Sequence, residues 1–204
     1  MKTPAELFSL KGEVAVVIGG TGVLGGALAE GLAGAGAKVA VLGRNQERGQ
    51  ARVKAITDNG GQAAFFSCDA SSRSSLAEAH QKIEAALSAP TILVSAAGGN
   101  DPKVTVTPEN PFEKITLEAL KANLDLNLIG GAFLPCQEFG PAMCKRGKGS
   151  IINIASVSAH LPLSRVVSYS AAKAAVLNLS QFLSREWATK GVRVNTITPG
   201  FFPA

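Results

Sequence analysis

Three residues in one short stretch are of the types needed to move a proton to or from an oxygen. Ser156, Tyr169 and Lys173 fall within SVSAHLPLSRVVSYSAAK, and Tyr169 is the only tyrosine among 204 residues. From Tyr169 onward the chain reads YSAAKAAVLNLSQFLSREWA, an Ala- and Leu-rich pattern that predicts a helix. Residues four apart share a helix face. Tyr169 and Lys173 therefore point the same way, and the preceding loop can fold Ser156 over them. A free phenol titrates near pH ~10 and is a poor acid or base at neutral pH. A nearby ammonium favours the phenolate and brings the phenol closer to the working range. A serine hydroxyl can hold a carbonyl or alcohol oxygen beside it. The trio suits proton exchange on an oxygen while another group moves a hydride. A Tyr and a Lys at this spacing also occur on ordinary helix surfaces, so the surrounding elements must decide.

Those elements alternate. Val14–Ile18, Lys38–Leu42, Ala63–Ser67, Thr91–Ser95, Ser150–Ala155 and Val192–Thr198 read as strands. Helices are predicted after the glycine-rich turn to about Ala35, over Gln46–Asp58, from the Ser71–Ser72 region to about Leu87, over Phe112 to about Lys145, and from Tyr169. Pro135 should kink or divide the long fourth helix. Gly98 to about Pro111 reads as a loop. Strand–helix alternation implies an α/β fold, with a doubly wound parallel sheet in a three-layer αβα arrangement. Such sheets bind ligands at the carboxyl ends of their strands. With no internal repeat and no linker, residues 1–204 read as a single domain.

Composition narrows the function classes. Hydrophobic residues make up 46% and charged residues 17%, which fits a packed core and excludes a disordered chain. The net charge of +5 is spread without a basic run, which argues against nucleic acid and mildly favours small anionic ligands. Cys68, Cys136 and Cys144 show no metal-ligand spacing, so no metal is expected and the thiols read as reduced, buried and cytoplasmic. The N-terminal MKTPAELFSLKGE has no apolar core of a signal peptide, and no membrane-length apolar run is present.

Two further motifs concern a cofactor. Gly20-Thr21-Gly22-Val23-Leu24-Gly25, with Gly19 before it, follows a strand and opens a helix. This is the context in which G-x-G-x-x-G admits a pyrophosphate onto a helix N-terminus. The second strand ends at Gly43-Arg44-Asn45. A carboxylate there would bind a ribose 2′-hydroxyl, whereas Arg44 offers a cationic fork for a 2′-phosphate. That favours NADP(H), with NAD(H) possible, and Arg48 is a rival for the same role. Asp69, followed by Ala70, could accept from an adenine amino group or cap the next helix.

In this order the residues resemble the short-chain dehydrogenase/reductase family over essentially the whole chain. The resemblance rests on the glycine-rich turn, Asp69, Ser95–Gly98, Asn127 in N-L-I-G, Ser156, Tyr169-Ser-Ala-Ala-Lys173 and Pro199-Gly200. It implies a Rossmann fold with Tyr169 as proton donor or acceptor and Lys173 lowering its pKa and binding the nicotinamide ribose. It further implies that Ser156 holds the substrate oxygen and Asn127 anchors a water relay. Cofactor contacts would come from Gly19 to Gly25, Arg44, Asn45, Asp69, Ala70, Ala96, Ala97, Gly98, Pro199, Gly200 and Phe202. Family members pair into homodimers or homotetramers, and the long helix and the Tyr169 helix would supply the faces.

The chain also departs from the family. Ile18 stands where a Thr usually ties the glycine turn to the fourth strand. Val23 replaces the middle glycine, and Ser95-Ala96-Ala97-Gly98 replaces Asn-Asn-Ala-Gly. Ala204 stands where a Thr is expected, and the sequence ends without the lid and last strand of most members. The Gly98–Thr105 segment and Pro199–Ala204 resemble D-mannonate oxidoreductases and gluconate 5-dehydrogenase relatives, which act on sugar acids. Lys103 and Arg165 are candidate cations for a sugar-acid carboxylate, and Asn100, Ser158 and His160 are candidate hydroxyl partners. Two other readings remain: a 3-oxoacyl-thioester reductase, and a dinucleotide-binding protein without turnover.

Overall fold

The computed structural model describes residues 3–161 and 163–201. Six strands, β1 (Val14–Ile18), β2 (Lys38–Gly43), β3 (Gln62–Ser67), β4 (Ile92–Ser95), β5 (Gly149–Ile154) and β6 (Val192–Ile197), form one parallel sheet in the order β3-β2-β1-β4-β5-β6. The helices are α1 (Pro4–Leu7), α2 (Val23–Gly34), α3 (Gln46–Asp58), α4 (Arg73–Leu87), α5 (Leu117–Leu124), α6 (Leu134–Arg146) and α7 (Val167–Ala188). The order reverses direction between β1 and β4, which opens a crevice at their carboxyl ends.

β1 is apolar at every position because both of its faces are covered. Val14, Val16 and Ile18 pack with Leu76 and Ile83 of α4, Phe139 and Met143 of α6, and Leu183 of α7. The alternate residues Ala15 and Val17 pack with Ala29 and Ala33 of α2 and Ile56 of α3. A strand's period of two thus feeds two separate cores. In α4 the buried residues Leu76, Ala79, Ile83 and Leu87 follow helical spacing, and the large members each contribute roughly 1.5–3 kcal/mol of burial.

The expected strands and helices are present, with most bounds shifted by a residue or two. α1 has no counterpart among the elements expected from the sequence. The long helix expected from Phe112 divides more than Pro135 alone would require. It comprises a 3₁₀ turn (Phe112–Lys114), α5, a π-helical stretch (Asp125–Phe133) and α6. Pro135 sits in the first turn of α6, directly after the π-helical stretch. The break falls earlier, at the wider turns of the π-helical stretch. Cys68 and Cys136 are buried as expected, but Cys144 is only half-buried, and all three are free thiols.

Candidate active site

The turn between β1 and α2 is built by close backbone approach. Gly19 has φ +77°, and a Cβ there would lie 2.7 Å from Ala97 N. A Cβ on Gly25 would lie 2.3 Å from Gly19 O. No side chain could occupy either position without moving the turn or the loop after β4. Gly22 caps α2 without a side-chain hydrogen bond, so first-turn N–H groups remain for an anion. A cleft of about 690 Å³ opens there, with Gly19, Thr21, Arg44, Asp69 and Gly98 in its walls. A glycine cradle ending in an uncapped helix terminus, with a cation at the far wall, fits a dinucleotide.

The cofactor candidates are only partly brought together. Gly19, Thr21, Gly22, Arg44, Asp69, Ala70, Ala96, Ala97 and Gly98 line the cleft, and so does Arg48. The side chain of Val23 is exposed and that of Leu24 packs into the α2–α3 core. Asn45 spends its Oδ1 on the Arg48 N–H, capping α3. Asp69 does not cap α4; Ser72 does. Asp69 accepts from the Ser71 hydroxyl at 2.6 Å and from the Ser71 N–H at 3.0 Å. Those bonds, helped by the Arg44 charge, hold its carboxyl below the usual carboxylate range. Phe202 lies outside the described residues.

At the carboxyl ends of β4 and β5 the proposed catalytic residues converge. Lys173 is buried, donates to Ile154 O at 2.8 Å, and has its ammonium 5.6 Å from the centroid of the Tyr169 ring. Burial pushes the Lys173 ammonium down to about 8. Gly98 passes between Lys173 and Asn127: with φ +152°, a Cβ there would lie 2.7 Å from Asn127 Oδ1 and 3.2 Å from Lys173 Nζ. Asn127, fully buried in the π-helical stretch, accepts from Gly99 N–H at 2.9 Å and donates to Gly99 O at 2.8 Å. Ser156 follows β5, and its Oγ accepts from the Ser158 N–H at 3.2 Å. The Val157 N–H donates to Pro199 O at 3.0 Å, which brings Pro199-Gly200 against the same turn.

The substrate candidates divide. Arg165 donates through Nε to Val106 O at 3.0 Å, and the Val106 N–H returns a bond to Arg165 O at 2.8 Å. Asn100 donates to Thr105 Oγ1 at 2.5 Å within its own loop. Both therefore have side-chain groups engaged in fastening the loop that follows β4, and buried Val104 plugs it in place. Lys103 and His160 are exposed, whereas Ser158 is buried and its hydroxyl has no partner among the described residues.

Sequence reasoning missed Asn123 and Ser168. Asn123 stands four residues before Asn127, and Ser168 immediately before Tyr169; both are buried. An Asn pair at helical spacing was the available signal.

Known proteins share this fold. A family model described as short chain dehydrogenase matches residues 13–204. An uncharacterized oxidoreductase, UxuB, of Bacillus subtilis is 40% identical over 202 residues, covering 95% of this chain and 72% of that protein. The D-threitol dehydrogenase of Mycolicibacterium smegmatis is 35% identical over 94% of this chain and 71% of its own. Among solved structures, the gluconate 5-dehydrogenase of Burkholderia cenocepacia, in complex with NADP and tartrate, superposes with a TM-score of 0.89. It is 30% identical, covering 99% of this chain and 76% of that one. A candidate D-mannonate oxidoreductase from Haemophilus influenza with bound NAD gives a TM-score of 0.92 at 31% identity, over 99% of this chain and 75% of its own. With the glycine cradle, the parallel sheet and the Tyr169–Lys173 helix in place, the chain belongs to the short-chain dehydrogenase/reductase family of nicotinamide-dependent oxidoreductases.

Proposed function

We propose that this chain interconverts a secondary alcohol and a ketone of a sugar acid, with Tyr169 as the general acid/base and NADP(H) as the preferred cofactor. The observation that carries the reading is the buried Lys173 ammonium 5.6 Å from the Tyr169 ring, beside the backbone of Gly98 at the end of the cleft.

The cleft would hold a nicotinamide dinucleotide, which would supply or take up the hydride. Tyr169 gives its phenolic proton to the substrate oxygen in reduction and takes it back in oxidation. The Lys173 charge stands beside the phenol, on whose oxygen negative charge develops as that proton leaves. The Ser156 hydroxyl still has its proton to donate, since its oxygen accepts from Ser158 N–H, and it holds the substrate oxygen. Asn127 keeps Gly98 and Gly99 against Lys173 and anchors a water relay to it. Arg44, with Arg48 nearby, would hold the 2′-phosphate, and Asp69 would meet the adenine; all three line the cleft. Pro199 and Gly200 would hold the nicotinamide end.

The sugar-acid reading draws on the names of the relatives, which include a gluconate 5-dehydrogenase and a 2-dehydro-3-deoxy-D-gluconate 5-dehydrogenase. Exposed Lys103 is a cation available at the loop for a carboxylate. We also place the protein in the cytoplasm as a homodimer. An apolar groove of about 290 Å³ between α6 and α7, lined by Phe133, Leu179, Phe182 and Trp187, suits pairing with a second copy.

The test is NADPH oxidation with 5-ketogluconate and with D-fructuronate, alongside an acetoacetyl thioester. Turnover of a sugar acid that drops by roughly 10²–10⁴-fold in Tyr169→Phe supports the reading. Preference for the thioester would favour the acyl reductase instead. A Tyr169→Phe enzyme as fast as the parent would remove Tyr169 from the mechanism.

A further inference from the structure

The first turn of α7 carries Tyr169, yet the helix lacks a cap of its own. Its N-cap residue is Val166, which has no side-chain oxygen to accept a first-turn N–H. Arg165, just before, holds a left-handed φ of +72°. First turns of helices are where local opening begins.

A buried side-chain pair stands in that place. Ser168, fully buried, donates from its hydroxyl to Asn123 Oδ1 at 3.1 Å. Asn123, 1% exposed in the last turn of α5, extends Nδ2 toward Gly99 O at 3.4 Å. Its main-chain carbonyl accepts from Asn127 Nδ2 at 3.0 Å. One residue thus joins the start of α7, the π-helical stretch and the loop beside Lys173. Apolar residues of similar size would fill the same volume. A hydrogen-bonded pair adds direction, because a buried acceptor without its donor is costly.

We infer that Asn123 and Ser168 are positioning residues that fix Tyr169 relative to Lys173 in place of a helix cap. The inference rests on the reading of Tyr169 as the proton-exchanging group. With the pair intact, the first turn of α7 stays wound and the phenol stays one turn from the ammonium. With the pair broken, the first turn frays and the phenol samples positions away from Lys173.

Opening of that turn can be read by hydrogen exchange with neither substrate nor cofactor. The parent, Ser168→Ala and Asn123→Ala are compared, with thermal melts to establish that each is folded. Ser168→Ala is the milder change and secures the test if Asn123→Ala does not fold. The expected result is that the amide of Ser170, bonded to Val166 O at the start of α7, exchanges roughly tenfold faster in the folded variants while the sheet keeps its protection. Turnover of the sugar-acid ketone falls roughly tenfold while nicotinamide binding is kept. A Ser168→Ala protein that is folded and exchanges like the parent overturns the inference. Absence of sugar-acid turnover in the parent would sink the proposed substrate and leave the exchange to decide the positioning role.

Discussion

The ammonium of Lys173 stands 5.6 Å from the Tyr169 ring and donates to the carbonyl of Ile154 at 2.8 Å. That arrangement sets a charge in a dry place. Burial lowers the folded-state value to about 8, against about 10.5 for the free side chain.

The stability consequence has a definite sign. Between those two values the unfolded chain holds a proton that the folded chain has released, so stability rises with pH across that window. The cost is fully present below about pH 8 and amounts to roughly 3 kcal/mol. Lys173→Met should therefore be inactive yet more resistant to urea than the parent at pH 7. Its advantage should shrink between pH 8 and 10.5. Urea denaturation at pH 7 and at a pH near 10 checks this. An advantage that is constant across both would mean that Lys173 is not desolvated as the structure has it.

Arg44 lines the cleft, and its charge is felt by Asp69 on the neighbouring loop. Arg44→Ala should weaken NADPH binding about tenfold, or roughly 1.4 kcal/mol, and leave NADH within about twofold. Fluorescence titration with both nucleotides measures the ratio. Equal losses for the two would move the 2′-phosphate role to Arg48.

Gly19 combines a left-handed φ with a virtual Cβ 2.7 Å from Ala97 N. Gly19→Ala should displace the loop after β4, lower the melting temperature by several degrees and abolish nucleotide binding. Retention of nucleotide affinity would show that the turn is more plastic than its geometry suggests.

Ser95 lies opposite Ile18 in the parallel register, is fully buried, and has a hydroxyl without a partner among the described residues. Ser95→Ala should be neutral or stabilising by up to about 1 kcal/mol, because an unsatisfied hydroxyl leaves the core. Ile18→Thr would set a hydroxyl beside Ser95, and a double-mutant cycle on urea stability should show a favourable coupling between the two that Ser95→Ala removes. Strong destabilisation by Ser95→Ala would point to a buried partner for that hydroxyl.

How far the sequence reached can be judged at particular residues. The apolar run at Val14 and the glycines after it placed β1 and the cofactor turn, since both obey local rules. The Tyr169–Lys173 spacing placed those two side chains on one helix face, which needs nothing beyond helical geometry. The π-helical stretch was not legible, because a widened turn leaves no periodic signature of its own; within it, a Cβ on Gly131 would lie 3.1 Å from Ala97 O, an approach made across the fold. Asn123 and Ser168 escaped for a related reason: a buried polar residue reads in sequence like a solvated one. Asp69 left two readings open, and Ser72 closed the capping one by accepting the Ser75 N–H.

The exchange between Asn127 and Gly99 has the form of a rung in a sheet ladder. A carboxamide contributes both the acceptor and the donor that a neighbouring strand would have offered. The loop beyond β4 is thereby given a strand partner one side chain long, in a place where no strand can follow. Its amide protons should consequently exchange with solvent on the timescale of the sheet rather than of a surface loop, making this wall of the cleft one of the last parts of the molecule to open.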